Sequence, residues 1–276
     1  MQKWKCTISE KHFYQLFELL EKQTWLLKKT DAFRDLWFAC NSDKEKELCI
    51  DLLNRFLLIT NEKCKKLINK IYRQILFVWK LNPQQVIFLP IADKETLDGS
   101  IWILSILKSN APKGFTSKNY LNHLTKCNDE NICSKDKYLI VIDDFIGTGR
   151  KLTNKLKYVK KNTNVSRIYC VTPIGMLEGK NKLKENFPDI EFFIPQEMKK
   201  SITDYYTEEI ELQKNNLKNI TINFGLESKK LEKKYLGFGK SESLVAYVDH
   251  NISNNVFPIF WGRRKNNLET FFERNK

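Results

Sequence analysis

Several large function classes are excluded by what this chain does not contain. In 276 residues there is no apolar run of the roughly eighteen residues that a membrane-crossing helix needs. Met1 to Cys6 is not followed by the apolar core of a secretion signal, so a cytoplasmic protein without membrane contact is expected. The seven cysteines (Cys6, Cys40, Cys49, Cys64, Cys127, Cys133 and Cys170) are odd in number and include no Cys-x-x-Cys, which points to buried free thiols rather than a disulfide framework. His123, Cys127 and Cys133 match no zinc spacing and have no evident fourth ligand, so no metal held by protein side chains is expected. No internal repeat or low-complexity linker interrupts the chain.

Arginine is scarce beside lysine. The net charge of +14 suggests a polyanionic partner, and nucleic acid remains open through the basic surface. Yet arginine is the better residue for forked recognition of phosphates and bases, and the lysines are scattered over several helices: Lys65, Lys66 and Lys70; Lys155, Lys157, Lys160 and Lys161; Lys229, Lys230, Lys233 and Lys234. Most are expected to form solvated faces.

What is present is enough apolar material for a sizeable core, 42% hydrophobic with 12% aromatic. From about Ser9 to Lys80 the apolar residues recur at helical spacing, as in Leu67, Ile68, Ile71, Ile75 and Leu76. From Gln85 strands alternate with helices: Val86 to Ile91, helix 97–108, Tyr138 to Ile142, helix 148–161, Arg167 to Pro173, helix 176–187, Glu191 to Ile194, a helical stretch around 203–216, and Leu244 to Val248. That rhythm predicts an α/β fold with a parallel sheet, a helical N-terminal layer over 1–82 and the α/β domain over 83–276.

Within this pattern Tyr138 to Leu152 reads Y-L-I-V-I-D-D-F-I-G-T-G-R-K-L. Five apolar residues without alternation suit a strand covered on both faces, and Asp143 and Asp144 follow at its carboxyl end, where ligands of open α/β sheets lie. Gly147 and Gly149 permit positive φ and bring backbone N–H groups close to an anion, and the following helix adds the positive end of its dipole. Walker A spacing fails, because position 144 is Asp and Gly149 precedes Arg150. A dinucleotide fingerprint fails as well, because position 152 is Leu. The plainer alternative is a polar strand-to-helix turn with no ligand.

D-D-F-I-G-T-G-R-K-L resembles the phosphoribosyl-pyrophosphate (PRPP) loop of type I phosphoribosyltransferases, which has four apolar residues, two acidic, three variable, then Thr-Gly-x-Thr. The resemblance implies that Asp143 and Asp144 hold the ribose 2′- and 3′-hydroxyls and that Gly147, Thr148, Gly149, Arg150 and Lys151 wrap the 5′-phosphate. It also implies Mg²⁺ carried on a pyrophosphate ligand. Lys151 departs from the pattern by replacing the second Thr, and meets a phosphate as a point charge without the short hydroxyl bond. The family's pyrophosphate loop would fall at Ala92, Asp93, Lys94 and Glu95, a poor match in which Lys94 is the one cation. The polar stretch Ser109 to Asp136 occupies the place of the family's closing loop, with Lys113, Ser117, Lys118 and Tyr120 as candidates and a disordered surface loop as the alternative.

The C-terminal stretch L-G-F-G-K-S-E-S-L-V-A-Y-V-D-H-N-I-S-N-N-V-F-P-I-F-W-G-R-R, together with the motif loop and the helical N-terminus, is similar to a bacterial subfamily of phosphoribosyltransferase-like proteins of conflict systems. That resemblance implies a role in anti-phage or interbacterial defence, with protein partners. His250, Asn251, Asn254 and Asn255 suit a base edge or ribose, and Phe260 or Trp261 a stacked ring. The alternative is an Asn-rich turn with Phe257, Ile259 and Trp261 in the core. The sequence therefore predicts a ligand with a ribose 5-phosphate group, PRPP or a nucleotide. Two outcomes stay open: displacement at the anomeric carbon, with Asp143 and Asp144 facing a cationic ring, or a sensor without turnover.

Overall fold

An apolar strand without polar alternation needs cover on both sides, and the computed structural model shows where it comes from. It describes residues 9–93, 98–264 and 269–274. In chain order the elements are helices α1 (Glu10–Lys22), α2 (Thr30–Phe38) and α3 (Asp43–Asn54), strand β1 (Leu57–Ile59), helix α4 (Asn61–Arg73), strand β2 (Val86–Pro90), helix α5 (Gly99–Ser109), strands β3 (Tyr138–Ile142) and β4 (Phe145–Ile146), helix α6 (Arg150–Asn162), strands β5 (Arg167–Val171) and β6 (Ile174–Met176), helix α7 (Leu177–Asn186), strands β7 (Glu191–Phe193) and β8 (Gln196–Met198), helices α8 (Ile210–Asn223) and α9 (Lys229–Glu232), and strand β9 (Val245–Tyr247). The fold is α/β with parallel sheets. Two compact units are formed, residues 59–200 and residues 1–58 with 201–276. This division falls elsewhere than the 82/83 boundary read from the helical and alternating patterns.

In the unit 59–200 the main sheet has the order β2-β3-β5-β7, all parallel, with Val86 opposite Tyr138 and Tyr138 opposite Arg167. One face, carrying Ile87, Leu89, Leu139, Val141, Cys170 and Phe192, packs on Leu152, Leu156 and Val159 of α6 and Leu183 of α7. The spacing 152, 156, 159 is one stripe of a helix, and each fully buried leucine contributes about 1.5–3 kcal/mol. The other face meets α4. Tyr72 packs edge-on against Phe88 at 5.9 Å, and its hydroxyl donates to the Leu107 carbonyl at 2.8 Å. These contacts place α4 with the sheet rather than with the preceding helices.

Each of the last three main strands stops and resumes two residues later in a second parallel sheet of order β4-β6-β8. The interruptions are Asp143-Asp144, Thr172-Pro173 and Ile194-Pro195. Proline has no N–H to donate to a ladder, which accounts for two of the three breaks. The stretch 109–136 is not a free loop. Asn119 donates its amide to the carbonyls of Pro83 and Val86, both at 2.7 Å, and the Leu121 N–H donates to the Phe88 carbonyl at 2.9 Å, so the segment seals the β2 edge. Tyr120 stacks on Phe88 at 5.1 Å and shares a hydrogen bond with Tyr72, a structural position.

The unit 1–58 with 201–276 is built on α1, α3 and α8. Ser9 and Ser42 cap the N-termini of α1 and α3 through their hydroxyls. The C-terminal P-I-F-W segment is core: Phe257 and Phe260 are fully buried, Phe56 lies 5.0 Å from Phe260 and stacks on Phe272 at 5.2 Å. Trp261, also buried, donates its indole N–H to the Val256 carbonyl at 3.0 Å. Phe260 and Trp261 are therefore not placed to stack a ligand ring. Among the described residues no helix is long and apolar enough to cross a membrane.

Candidate functional site

The break between the two sheets is where the paired acids sit. Asp143 continues the strand as far as a long bond from its N–H to the Val171 carbonyl (3.4 Å), and the residue is 2% exposed. Its carboxylate accepts the Asp144 N–H at 2.9 Å, which turns the chain and leaves Asp144 half-buried. A third acid joins them. Asp98 caps α5 by accepting the Ser100 N–H at 2.9 Å, and single carboxylate oxygens of Asp98, Asp143 and Asp144 all lie within 4.8 Å of one another. The Asp144 carboxyl rests directly on Gly99, where a Cβ would come within 2.3 Å of its Oδ2. Sequence reasoning missed Asp98 and Gly99. The signal available was an Asp immediately before a helical pattern, an N-cap by local rules.

Lys151 completes the cluster. Its ammonium donates to Asp98 Oδ2 at 2.7 Å and lies 3.7 Å from Asp143 Oδ1. Burial and then the neighbouring charge of Asp144 push the Asp143 carboxyl well above the usual carboxylate range, against the opposing pull of Lys151. For Lys151, burial works against the charge, yet Asp143 and Asp98 outweigh it and raise the ammonium above the ordinary lysine value. Burial likewise pushes Asp98 up, but hydrogen bonds from Lys151 and the Ser100 amide prevail and hold it below its ordinary value.

The glycine turn lies between the acids and α6. Gly149 has φ +74° and opens α6 with no side-chain cap, so the first N–H groups of the helix have no intrahelical acceptor and suit an anion. A Cβ on Gly149 would point at the Gly179 carbonyl (3.0 Å) and Leu183 (3.1 Å), that is, toward α7 rather than into an anion's space. A valine there would strain the backbone and press on α7. Gly179 itself allows α7 to approach the loop, since its Cβ would fall 2.0 Å from the Gly147 carbonyl oxygen. The loop 147–149 is thereby supported from behind. Thr148 is half-buried and Arg150 exposed.

The other candidates are distributed differently. Lys94 lies outside the described residues, and Asp93 beside it pairs with Lys155 at 2.7 Å. His250 and Asn251 belong to the other unit, where they line a cavity of about 750 Å³ with Trp25, Lys28, Lys29 and Phe272. Asn254 and Asn255 serve that unit's turns: their carbonyls accept Phe238 N–H (2.8 Å) and Ser241 Oγ–H (2.7 Å), and the Asn255 amide donates to Ser253 Oγ at 3.0 Å. Several scattered lysines are paired locally, Lys66 with Glu62, Lys155 with Asp93 and Lys160 with Asp189, at 2.6–2.8 Å.

Comparison with known proteins adds to this geometry. The family model PRTase-CE matches residues 34–274. Uracil phosphoribosyltransferase of Methanococcus vannielii is 30% identical over 101 residues, 36% of this chain and 40% of that protein. The enzyme of the same name from Thermococcus gammatolerans is 31% identical over 94 residues, 34% and 39% respectively. The match thus spans about two-fifths of the length of these curated relatives. Among solved structures, the AQ2163 protein from Aquifex aeolicus aligns with a TM-score of 0.35 at 18% identity, covering 61% of this chain and 84% of that one. A hypothetical protein from Neisseria gonorrhoeae with bound ppGpp aligns at 0.37 and 10% identity, covering 58% and 95%. A family match running over most of the length, on a parallel α/β fold with paired acids at a strand end, makes this chain a phosphoribosyltransferase-like protein belonging to the PRTase-CE family.

Proposed function

We propose that the unit 59–200 binds the ribose 5-phosphate part of PRPP or a nucleotide. The observation that carries this reading is the placement of two carboxylates at the end of β3, one turn ahead of an uncapped helix N-terminus that is braced by α7. Asp144, the more accessible of the pair, faces the ribose hydroxyls, and Asp143 fixes its position through the Asp144 N–H. The amides of Gly147 to Lys151 take the 5′-phosphate, with Arg150 at the rim. In turnover, the bond from the anomeric carbon to its leaving group breaks and a bond to the acceptor nucleophile forms. The ring becomes cationic between the two events, and carboxylates beside it stabilise that charge. Uracil, named by the curated relatives, is the first acceptor to offer.

Mg²⁺ fits this site as an ion carried on the ligand's phosphates. It fits poorly as an ion held by Asp98, Asp143 and Asp144, because the Lys151 ammonium stands among them. When present on pyrophosphate it neutralises the leaving group's charge. A reading without turnover is favoured by one observation: the segment after β2, where a pyrophosphate contact belongs, carries the acid Asp93 tied to Lys155. The C-terminal motif supports a place in a bacterial defence system with protein partners. Local pairing of several lysines speaks against nucleic acid as the main ligand.

One experiment separates these readings. PRPP and uridine monophosphate binding are measured by calorimetry, and pyrophosphate release is measured alongside, for the parent and for the Asp143→Asn, Asp144→Asn double variant. A catalyst loses on the order of 100-fold in rate with a much smaller change in affinity. A sensor shows no release in either protein. Absence of any binding by the folded parent would remove the ribose-phosphate assignment.

A further inference from the structure

We propose that Lys151 is the built-in counter-cation of the three-carboxylate cluster and occupies the place a divalent ion would otherwise take. This rests on the same site as the ribose-phosphate reading but not on the identity of its ligand. Three observations carry it. Single oxygens of Asp98, Asp143 and Asp144 converge within 4.8 Å, the arrangement of a cation site made only of hard oxygen donors. The Lys151 ammonium donates to Asp98 Oδ2 at 2.7 Å and stands 3.7 Å from Asp143 Oδ1, so a positive charge is already seated there. The three acids come from two separate segments, and Gly99 lets Asp144 lie flat against α5 to complete the group.

The placement follows from helical geometry. Lys151 is the second residue of α6, and Asp98 is the cap of α5, so the two helix starts face a common point and the lysine bridges them. A hydroxyl residue at position 151, as in the PRPP-loop pattern, would neither reach nor neutralise the cluster. Three carboxyl groups this close, one of them nearly fully buried, repel one another as anions, and a cation seated among them relieves that repulsion. The chain supplies it from the Lys151 side chain, which makes the resting site independent of divalent cations. The lysine also links the acid end of the site to the phosphate end, because its own amide lies in the first turn of α6.

The test is Mn²⁺ binding in the absence of any sugar phosphate, read by electron paramagnetic resonance and calorimetry. The full chain is compared with Lys151→Met, Lys151→Thr and Lys151→Arg. Removing the ammonium should create a divalent site, so the Met and Thr variants should bind one Mn²⁺ on the order of 100-fold more tightly than the parent. The Arg variant should bind no better than the parent. Adding Asp98→Asn to Lys151→Met should abolish the gained site. Equal Mn²⁺ affinity in parent and Lys151→Met, with both folded by circular dichroism, would overturn the proposal. So would a parent that binds Mn²⁺ tightly and loses it with Asp98→Asn. Because no ribose-phosphate ligand is present, either failure leaves the ribose-phosphate reading to stand or fall on its own binding data.

Discussion

Replacing Gly99 by Ala separates the site's function from the protein's stability. Gly99 is the first residue of α5, and its backbone is helical, so alanine suits the conformation and gains about 0.4–1 kcal/mol by restricting the unfolded chain. The added methyl, however, would lie 2.3 Å from Asp144 Oδ2, 2.4 Å from its Cγ and 2.9 Å from its Cβ. Ordinary carbon contacts are about 3.5–4.0 Å, so the whole carboxymethyl group must swing away by about 1 Å or more. On the proposed function, Asp144 would then be turned away from the ribose hydroxyls. A hydrogen bond to a charged group is worth about 1.5–3 kcal/mol, which at about 1.4 kcal/mol per tenfold is a loss of roughly 10- to 150-fold in affinity. Calorimetric titration with PRPP and uridine monophosphate reads the affinity, and a thermal melt reads the stability. Gly99→Ala should melt within a few degrees of the parent, roughly 2–4 °C per kcal/mol at this chain length, while binding falls. A second substitution, Asp144→Ala, relieves the overlap and should not weaken binding further. Unchanged affinity in the folded Gly99→Ala variant would refute the role of Asp144 and the reasoning from the glycine contact.

Asp143→Asn should make the protein more stable at neutral pH while harming the site. The buried Asp143 carboxyl titrates well above its unfolded value near 3.9, so between those two pH values the folded state binds more protons and stability falls as pH rises. The variant should lack that decline and be the more stable of the two at pH 7; parallel urea-denaturation stabilities for both proteins from pH 4 to 8 would contradict it. Gly179→Ala presses a methyl onto the Gly147 carbonyl at 2.0 Å, a backbone group that cannot rotate away. It should cost about 1–3 kcal/mol in denaturant melts and also weaken phosphate-bearing ligands, and a variant with parental stability and affinity would show that the loop is not braced by α7.

The sequence by itself determined the main strands and most of the flanking helices. Tyr138–Ile142 was bounded correctly because a run without alternation has one stable use, a strand covered on both faces, and the helix expected over 148–161 is found as α6 at Arg150–Asn162. The acidic pair and the glycine turn were equally plain, because their chemistry is contained in a dozen consecutive residues. Tertiary structure decided what depends on distant partners. The strands Phe145–Ile146, Ile174–Met176 and Gln196–Met198 are too short to show a pattern and exist only through pairing with one another. Asp98 enters the site from 45 residues before Asp143, and no local rule ties a helix cap to a remote carboxylate. Lys151, read from the motif as a phosphate ligand, turns to that acid because the field of three carboxylates arises only once the two segments are folded together. The final aromatics followed the same logic: Phe260 and Trp261 look equally fit for a ligand or a core, and packing against Phe56 and the Val256 carbonyl settled the matter.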